Sequence, residues 1–141
     1  MQLKKILVSA SGSGADDEAV KLACKLAKKS KAEVCIVYVI EVKRSLPLDA
    51  GIGSEMKKAE GVLTRAEDIA DEQDCTVETD IVQAREAGPA IVDEAMESDA
   101  DLIIMGVTYR KSFGAFNLGS VIPYVLREAP CHVLLYREPI S

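Results

Sequence analysis

Hydrophobic positions in this chain follow two patterns that alternate along its length. Short, almost wholly apolar runs stand at residues 6–10 (I-L-V-S-A), 34–40 (V-C-I-V-Y-V-I), 102–105 (L-I-I-M) and 132–136 (H-V-L-L-Y). Strands of a parallel sheet buried on both faces have this character. Residues 77–81 instead alternate, with Val77, Thr79 and Ile81 set between Glu78 and Asp80, which predicts a half-exposed strand at a sheet edge. Between the strands the apolar spacing becomes helical. Ala19, Leu22, Ala23, Leu26 and Ala27 form one stripe, with Asp16, Asp17 and Glu18 in the first turn and Lys25, Lys28 and Lys29 in the last. Ser13 followed three residues later by Asp16 predicts a capping box. A long helix from a Ser54 cap to about residue 74 carries Met56, Ala59, Val62, Leu63, Ala66, Ile69 and Ala70 on one face. Gly88-Pro89 opens a third helix with Pro89 at its first position, and Ile91, Val92, Ala95 and Met96 supply its packing face. A fourth helix opens at Gly119-Ser120, tolerates Pro123 early in its course and stops at Ala129-Pro130.

Strand and helix thus alternate five times, which calls for an α/β fold, a three-layer α/β/α sandwich around a five-stranded parallel sheet. Right-handed crossovers bring the first two strands side by side, and the expected order is the Rossmann-like 3-2-1-4-5. Ligands in such sheets bind beyond the carboxyl ends of the strands, where the strand order reverses. That point lies between the first and fourth strands, the two that lead into the glycine-containing loops 11–14 and 106–119.

Size and composition narrow the picture. A chain of 141 residues with 48% hydrophobic and 28% charged positions reads as a single domain, residues 1–141, with one core. A net charge of -6 argues against a nucleic-acid binder, which needs a basic face. No apolar run approaches the ~18 residues of a membrane span, and a cytoplasmic protein is expected. Cys24, Cys35, Cys75 and Cys131 lack metal-ligand spacing and read as reduced, packed thiols. His132, the sole histidine, sits among apolar strand neighbours, so a serine–histidine hydrolase is not supported.

Two phosphate-binding fingerprints fail. After the first strand, Gly12-Ser13-Gly14 would need a third glycine where Asp17 stands, and the acidic turn would repel a pyrophosphate. Lys111-Ser112 lacks the preceding glycine of a Walker loop, because Arg110 fills that slot. What remains is a glycine-lined loop feeding a helix start, where free N–H groups and the positive end of a dipole favour an anion. Its residues also have plain readings. Gly119-Ser120 could be only a helix cap, Arg110 and Lys111 a solvated loop face, and Tyr109 either a stacking surface or a lid.

The spacing Gly106, two residues, Tyr109, nine residues, Gly119-Ser120 follows the strand D-L-I-I-M, and the tail reads R-E-A-P-C-H-V-L-L-Y-R. With the β/α pattern, this closely resembles the universal stress protein family over the whole chain. The resemblance implies a small adenine-nucleotide module, binding ATP or AMP, with Mg as a further candidate, and acting as a regulatory or stress-response factor. It places adenine and ribose near Ala10, Ser11 and Val39, and phosphates near Met105, Gly106, Tyr109, Arg110, Gly119, Ser120 and Val121. Two departures stand out: the family's ATP binders usually have Asp where Ser11 stands and Gly where Tyr109 stands. Without a Walker lysine or a carboxylate cluster for Mg, catalysis is expected to be absent or limited to slow ATP hydrolysis. The alternative is a dimeric interaction protein of the same fold that binds no nucleotide and acts on a protein or transporter partner. The last strand, His132-Val133-Leu134-Leu135-Tyr136, has little charge to protect its edge, which predicts a homodimer built on it, as the resemblance also implies.

Overall fold

A computed structural model describes residues 2–50, 53–108, 111–112, 115–116 and 118–139. In chain order the elements are β1 (Lys5–Ala10), α1 (Ala15–Ser30), β2 (Glu33–Glu41), α2 (Gly53–Glu72), β3 (Val77–Ala84), α3 (Ala87–Glu97), β4 (Leu102–Val107), β5 (Lys111–Ser112), β6 (Ala115–Phe116), α4 (Val121–Glu128) and β7 (His132–Arg137). Five strands form one parallel sheet in the order β3-β2-β1-β4-β7, which is the expected 3-2-1-4-5 arrangement. The antiparallel pair β5-β6 was not anticipated, since two-residue strands leave no periodicity to read.

Alternation along the strands divides the core into two layers. Ile6, Val8 and Ala10 of β1, with Leu102 and Ile104 of β4, pack under α1 and α2. Leu7, Ile103 and Met105 turn the other way, toward Ile91, Val92 and Ala95 of α3 and Val125 of α4. Both layers are closely filled, and Ile6, Val8, Ile36, Ile103 and Ile104 have no exposed surface. The edge strand β3 keeps its alternation, with Glu78 and Asp80 outward.

Several local expectations change. Ser13 builds no capping box: Gly14 is the cap of α1, with no side-chain cap hydrogen bond, and the Asp16 carboxylate turns back into the preceding loop. Ser54 lies inside α2 rather than before it. Pro89 is the third residue of α3, still within the turn whose N–H groups have no helical partner, so it costs no intrahelical bond. Met96 is 59% exposed, outside the packing face that Ile91, Val92 and Ala95 supply.

The cysteines are free thiols. Cys24, distant from Cys75 in sequence, meets it where α1 packs near the start of β3, and burial, followed by the neighbouring Cys75, pushes the Cys24 thiol up to about 12.

Candidate functional site

Where the sheet's order reverses, β1 and β4 run side by side, with Val8 opposite Ile104 and Ser9 opposite Met105. Their following loops must then diverge, one to each face, and the gap left above the strand ends is a crevice of about 350 Å3. Its walls include Ala10, Ser11, Val39, Met105, Gly106, Gly119, Ser120 and Val121, so the structure brings together every site residue expected from the sequence that it describes. Tyr109 and Arg110 lie outside the described residues. Ser9, Tyr38, Glu41, Ala87, Ile91, Leu118 and Ile122 complete the wall and were missed. Ser9 and Glu41 carried a faint signal, being polar residues within and at the end of otherwise apolar strands.

Gly106 has a structural reason to be glycine that spacing did not reveal. A Cβ there would stand 2.7 Å from the Ala15 carbonyl oxygen and 2.9 Å from the Ala15 Cβ. The start of α1 therefore rests directly on the β4 backbone, which draws the loop after β1 over the crevice. Gly119 adopts φ +70°, a left-handed conformation that turns the chain into α4.

Three helices begin around this region, and they differ in electrostatics. The first turn of α1 holds Asp16, Asp17 and Glu18, which offset the positive end of its dipole. At α3 the first N–H, that of Ala87, donates to Glu41 Oε2 at 3.0 Å. The first turn of α4 has no acidic residue, and Ser120 precedes it without a side-chain cap hydrogen bond. Ser120 is thus not spent as a cap, and the α4 start is the helix end at the crevice best suited to an anion.

The loop after β1 is held by Asp16, the one charged residue buried among the described residues, at 7% exposure. Its carboxylate accepts hydrogen bonds from Ser11 N at 3.0 and 3.2 Å, from Gly12 N at 2.8 Å and from Ser11 Oγ at 3.3 Å. Burial raises its pKa above the ordinary aspartate value, against the lowering effect of those donors, and neighbouring Asp17 raises it slightly further. Asp17 faces outward and forms a two-pronged ion pair with Arg65 of α2, at 3.0 and 2.5 Å. On the far side, Arg85 Nη1 donates to the carbonyls of Val42, Lys43 and Leu46, which pins the segment after β2 beside Glu41. Among the described residues no cluster of three or more histidine, cysteine or acidic side chains could hold a metal ion.

A doubly wound α/β chain with an amide-rich crevice at its switch point belongs to the class of small nucleotide-binding folds. The sequence matches the universal stress protein family over residues 2–137, and the chain belongs to that family. It is 34% identical over 142 residues to a universal stress protein of Methanocaldococcus jannaschii, covering 96% of this chain and 83% of the relative. A universal stress protein from Archaeoglobus fulgidus superposes with a TM-score of 0.81 at 22% identity, over 94% of this chain and 97% of the other. A second structure from that organism, solved in complex with dAMP, superposes at 0.76 and 21% identity, over 96% of this chain and 98% of the other.

Proposed function

We propose that the chain is an adenine-nucleotide-binding regulatory module that takes AMP or ATP in the crevice above β1 and β4. The observation that carries this reading is the start of α4, without acid in its first turn and without a side-chain cap, opening on a crevice already lined by Gly106 and Gly119. Phosphate oxygens accept from backbone N–H groups there, near Gly119, Ser120 and Val121, and the helix dipole adds to the attraction. The base lies at the opposite end, over Val39, where the wall is apolar. Glu41 repels a polyphosphate from that end and so sets the direction of the ligand. The dAMP complex of the A. fulgidus relative supports an adenine mononucleotide as the occupant.

Tyr109 and Arg110 belong to the phosphate end in this reading, with Mg accompanying ATP. The crevice binds and signals occupancy rather than turning over substrate, apart from slow hydrolysis at most, a reading supported by the lack of a lysine among the described crevice-lining residues. The protein works in the cytoplasm as one domain and pairs with a second copy along β7, whose residues 133–136 are only half-buried. Calorimetric titration of the purified chain with AMP and ATP tests the ligand. Saturable binding at micromolar to millimolar concentration is expected, and a flat titration with both would leave the dimeric interaction protein as the better reading. Sedimentation at micromolar concentration tests the pairing, with a monomer counting against it.

A further inference from the structure

Two thiols that line no part of the crevice meet toward the amino end of the sheet, just before β3 begins. Cys24 has no exposed surface, since it lies on the stripe of α1 that also buries Ala19, Val20, Ala23 and Ala27. Cys75 reaches it through a tight helix ending. Asp74 adopts a left-handed φ of 54° after α2, and Cys75 N then donates back to the Ala70 carbonyl at 2.9 Å, which folds Cys75 against the core layer that holds Cys24. Cys75 itself is only partly buried. We propose that Cys24 and Cys75 form a reversible disulfide, an oxidative modification site at which Cys75 reacts first with a peroxide and Cys24 resolves the product.

The two roles follow from access. A peroxide in solvent meets Cys75 before the enclosed Cys24, whose thiol is kept protonated by burial and then by its Cys75 neighbour, with a pKa pushed up to about 12. In the first step the Cys75 sulfur attacks one peroxide oxygen. An S–O bond forms, the O–O bond breaks, and the departing hydroxide takes the Cys75 thiol proton and leaves as water. In the second step the Cys24 sulfur attacks the Cys75 sulfenic sulfur. The S–S bond forms, the S–O bond breaks, and the hydroxide leaves as water with the Cys24 proton. The two sulfurs together lose two electrons to the peroxide. A buried thiol that holds its proton is slow toward oxidants in solvent, yet it supplies that proton to the leaving group once its neighbour is activated. A small thiol attacking the Cys75 sulfur reverses the bond. The other cysteines do not compete, because Cys35 and Cys131 pack into the layer under α3 and α4, with the sheet between them and this pair. The bond closes the loop of residues 24–75 and ties α1 to the turn that carries α2 into the edge strand β3, so oxidation stiffens that side of the fold.

The site is independent of the nucleotide reading. Treatment of the purified full chain with hydrogen peroxide in slight excess, followed by non-reducing peptide mapping, tests it. A linked pair of peptides containing Cys24 and Cys75 is expected, with free thiols falling from four to two and returning to four in dithiothreitol. The oxidised chain should melt about 5 °C or more above the reduced one. In Cys24→Ala, Cys75 should stop at the sulfenic acid, which dimedone traps. Cys75→Ser should form no linkage and show no rise in melting temperature. Linkage of any other pair, survival of all the thiols, or a wild-type Cys75 that proceeds to sulfinic acid while Cys24 stays free overturns the assignment. An oxidised chain that melts no higher than the reduced one overturns it too, because the bond then distorts the fold instead of bracing it. If Cys24→Ala does not fold, the wild-type map and Cys75→Ser, at the less buried position, decide the matter.

Discussion

The two ends of the sheet solve the same problem in opposite ways. At the amino end of the strands, Asp101 accepts hydrogen bonds from Lys4 N at 2.7 Å and Lys5 N at 3.0 Å. Its own N–H bonds the Lys5 carbonyl, and its carbonyl receives the N–H of His132, so β1, β4 and β7 are sewn together at their starts. At the carboxyl end Asp16 likewise accepts two backbone N–H groups, but from a loop that bends away and leaves a hollow. One carboxylate works beside water and the other in the interior. The backbone donors lower the Asp101 pKa, whereas burial raises that of Asp16 despite similar donors. The amino end is therefore built for closure, whereas the carboxyl end holds a buried carboxylate within a loop that leaves a hollow beside it.

The largest way to break this contrast is to close the carboxyl end from within. Gly106→Ala drives a Cβ against the Ala15 carbonyl, which is backbone and cannot rotate aside. A loss of about 2 to 3 kcal/mol and a melting temperature lower by roughly 6–12 °C are expected, measurable by thermal denaturation. Next in size, Ser120→Glu sets a carboxylate at the start of α4. Nucleotide affinity should fall by roughly five- to thirtyfold, a cost of about 1 to 2 kcal/mol, while the melting temperature holds or rises slightly, since the same charge favours the helix dipole. Loss of stability without loss of binding would show that the anion sits elsewhere.

A finer test uses acid. Asp101, with its pKa lowered, stabilises the fold above the ordinary aspartate value of 3.8, and that contribution disappears as pH falls through its lower folded value. Asp16, with its pKa raised, has the opposite sign: the folded state holds its proton more tightly than the unfolded chain does. Its ionised form weighs on stability above the raised folded pKa, and the burden lifts as pH falls through that value toward 3.8. Denaturant midpoints from pH 7 down to 3 should show the advantage of wild type over Asp101→Asn shrinking with acid. The comparison of wild type with Asp16→Asn should move in wild type's favour. Movement of both pairs in one direction would refute the contrast. The smallest expected effect is that of Ser120→Ala on stability, a change within about 0.5 kcal/mol because no side-chain cap is lost, where an ordinary cap deletion costs about 1 kcal/mol.

The crevice was legible where backbone geometry makes it and illegible where distant side chains do. Gly106, Gly119 and Ser120 could be placed from strand and helix boundaries alone, because a parallel sheet brings its switch-point loops together whatever the side chains are. Ser13 and Asp16 were misread for the opposite reason. The capping-box spacing is a local rule, and in the folded chain the Asp16 carboxylate instead meets the N–H groups of Ser11 and Gly12 and is buried over them. Glu41 passed unnoticed because its partner, Ala87 N, comes from an element that begins far along the chain. Met96 was assigned inward from a periodicity that cannot say where a helix's buried stripe ends.

By itself, the order of apolar runs and amphipathic stretches determined the layers, the strand order and the place of the crevice, since burial on both faces and right-handed crossovers leave little choice of topology. Only the tertiary structure decided why Gly106 is glycine, which carboxylate sits behind Ser11 and which helix start is left for an anion. Those outcomes depend on contacts a few ångströms across between segments far apart in sequence, and no linear pattern records such distances.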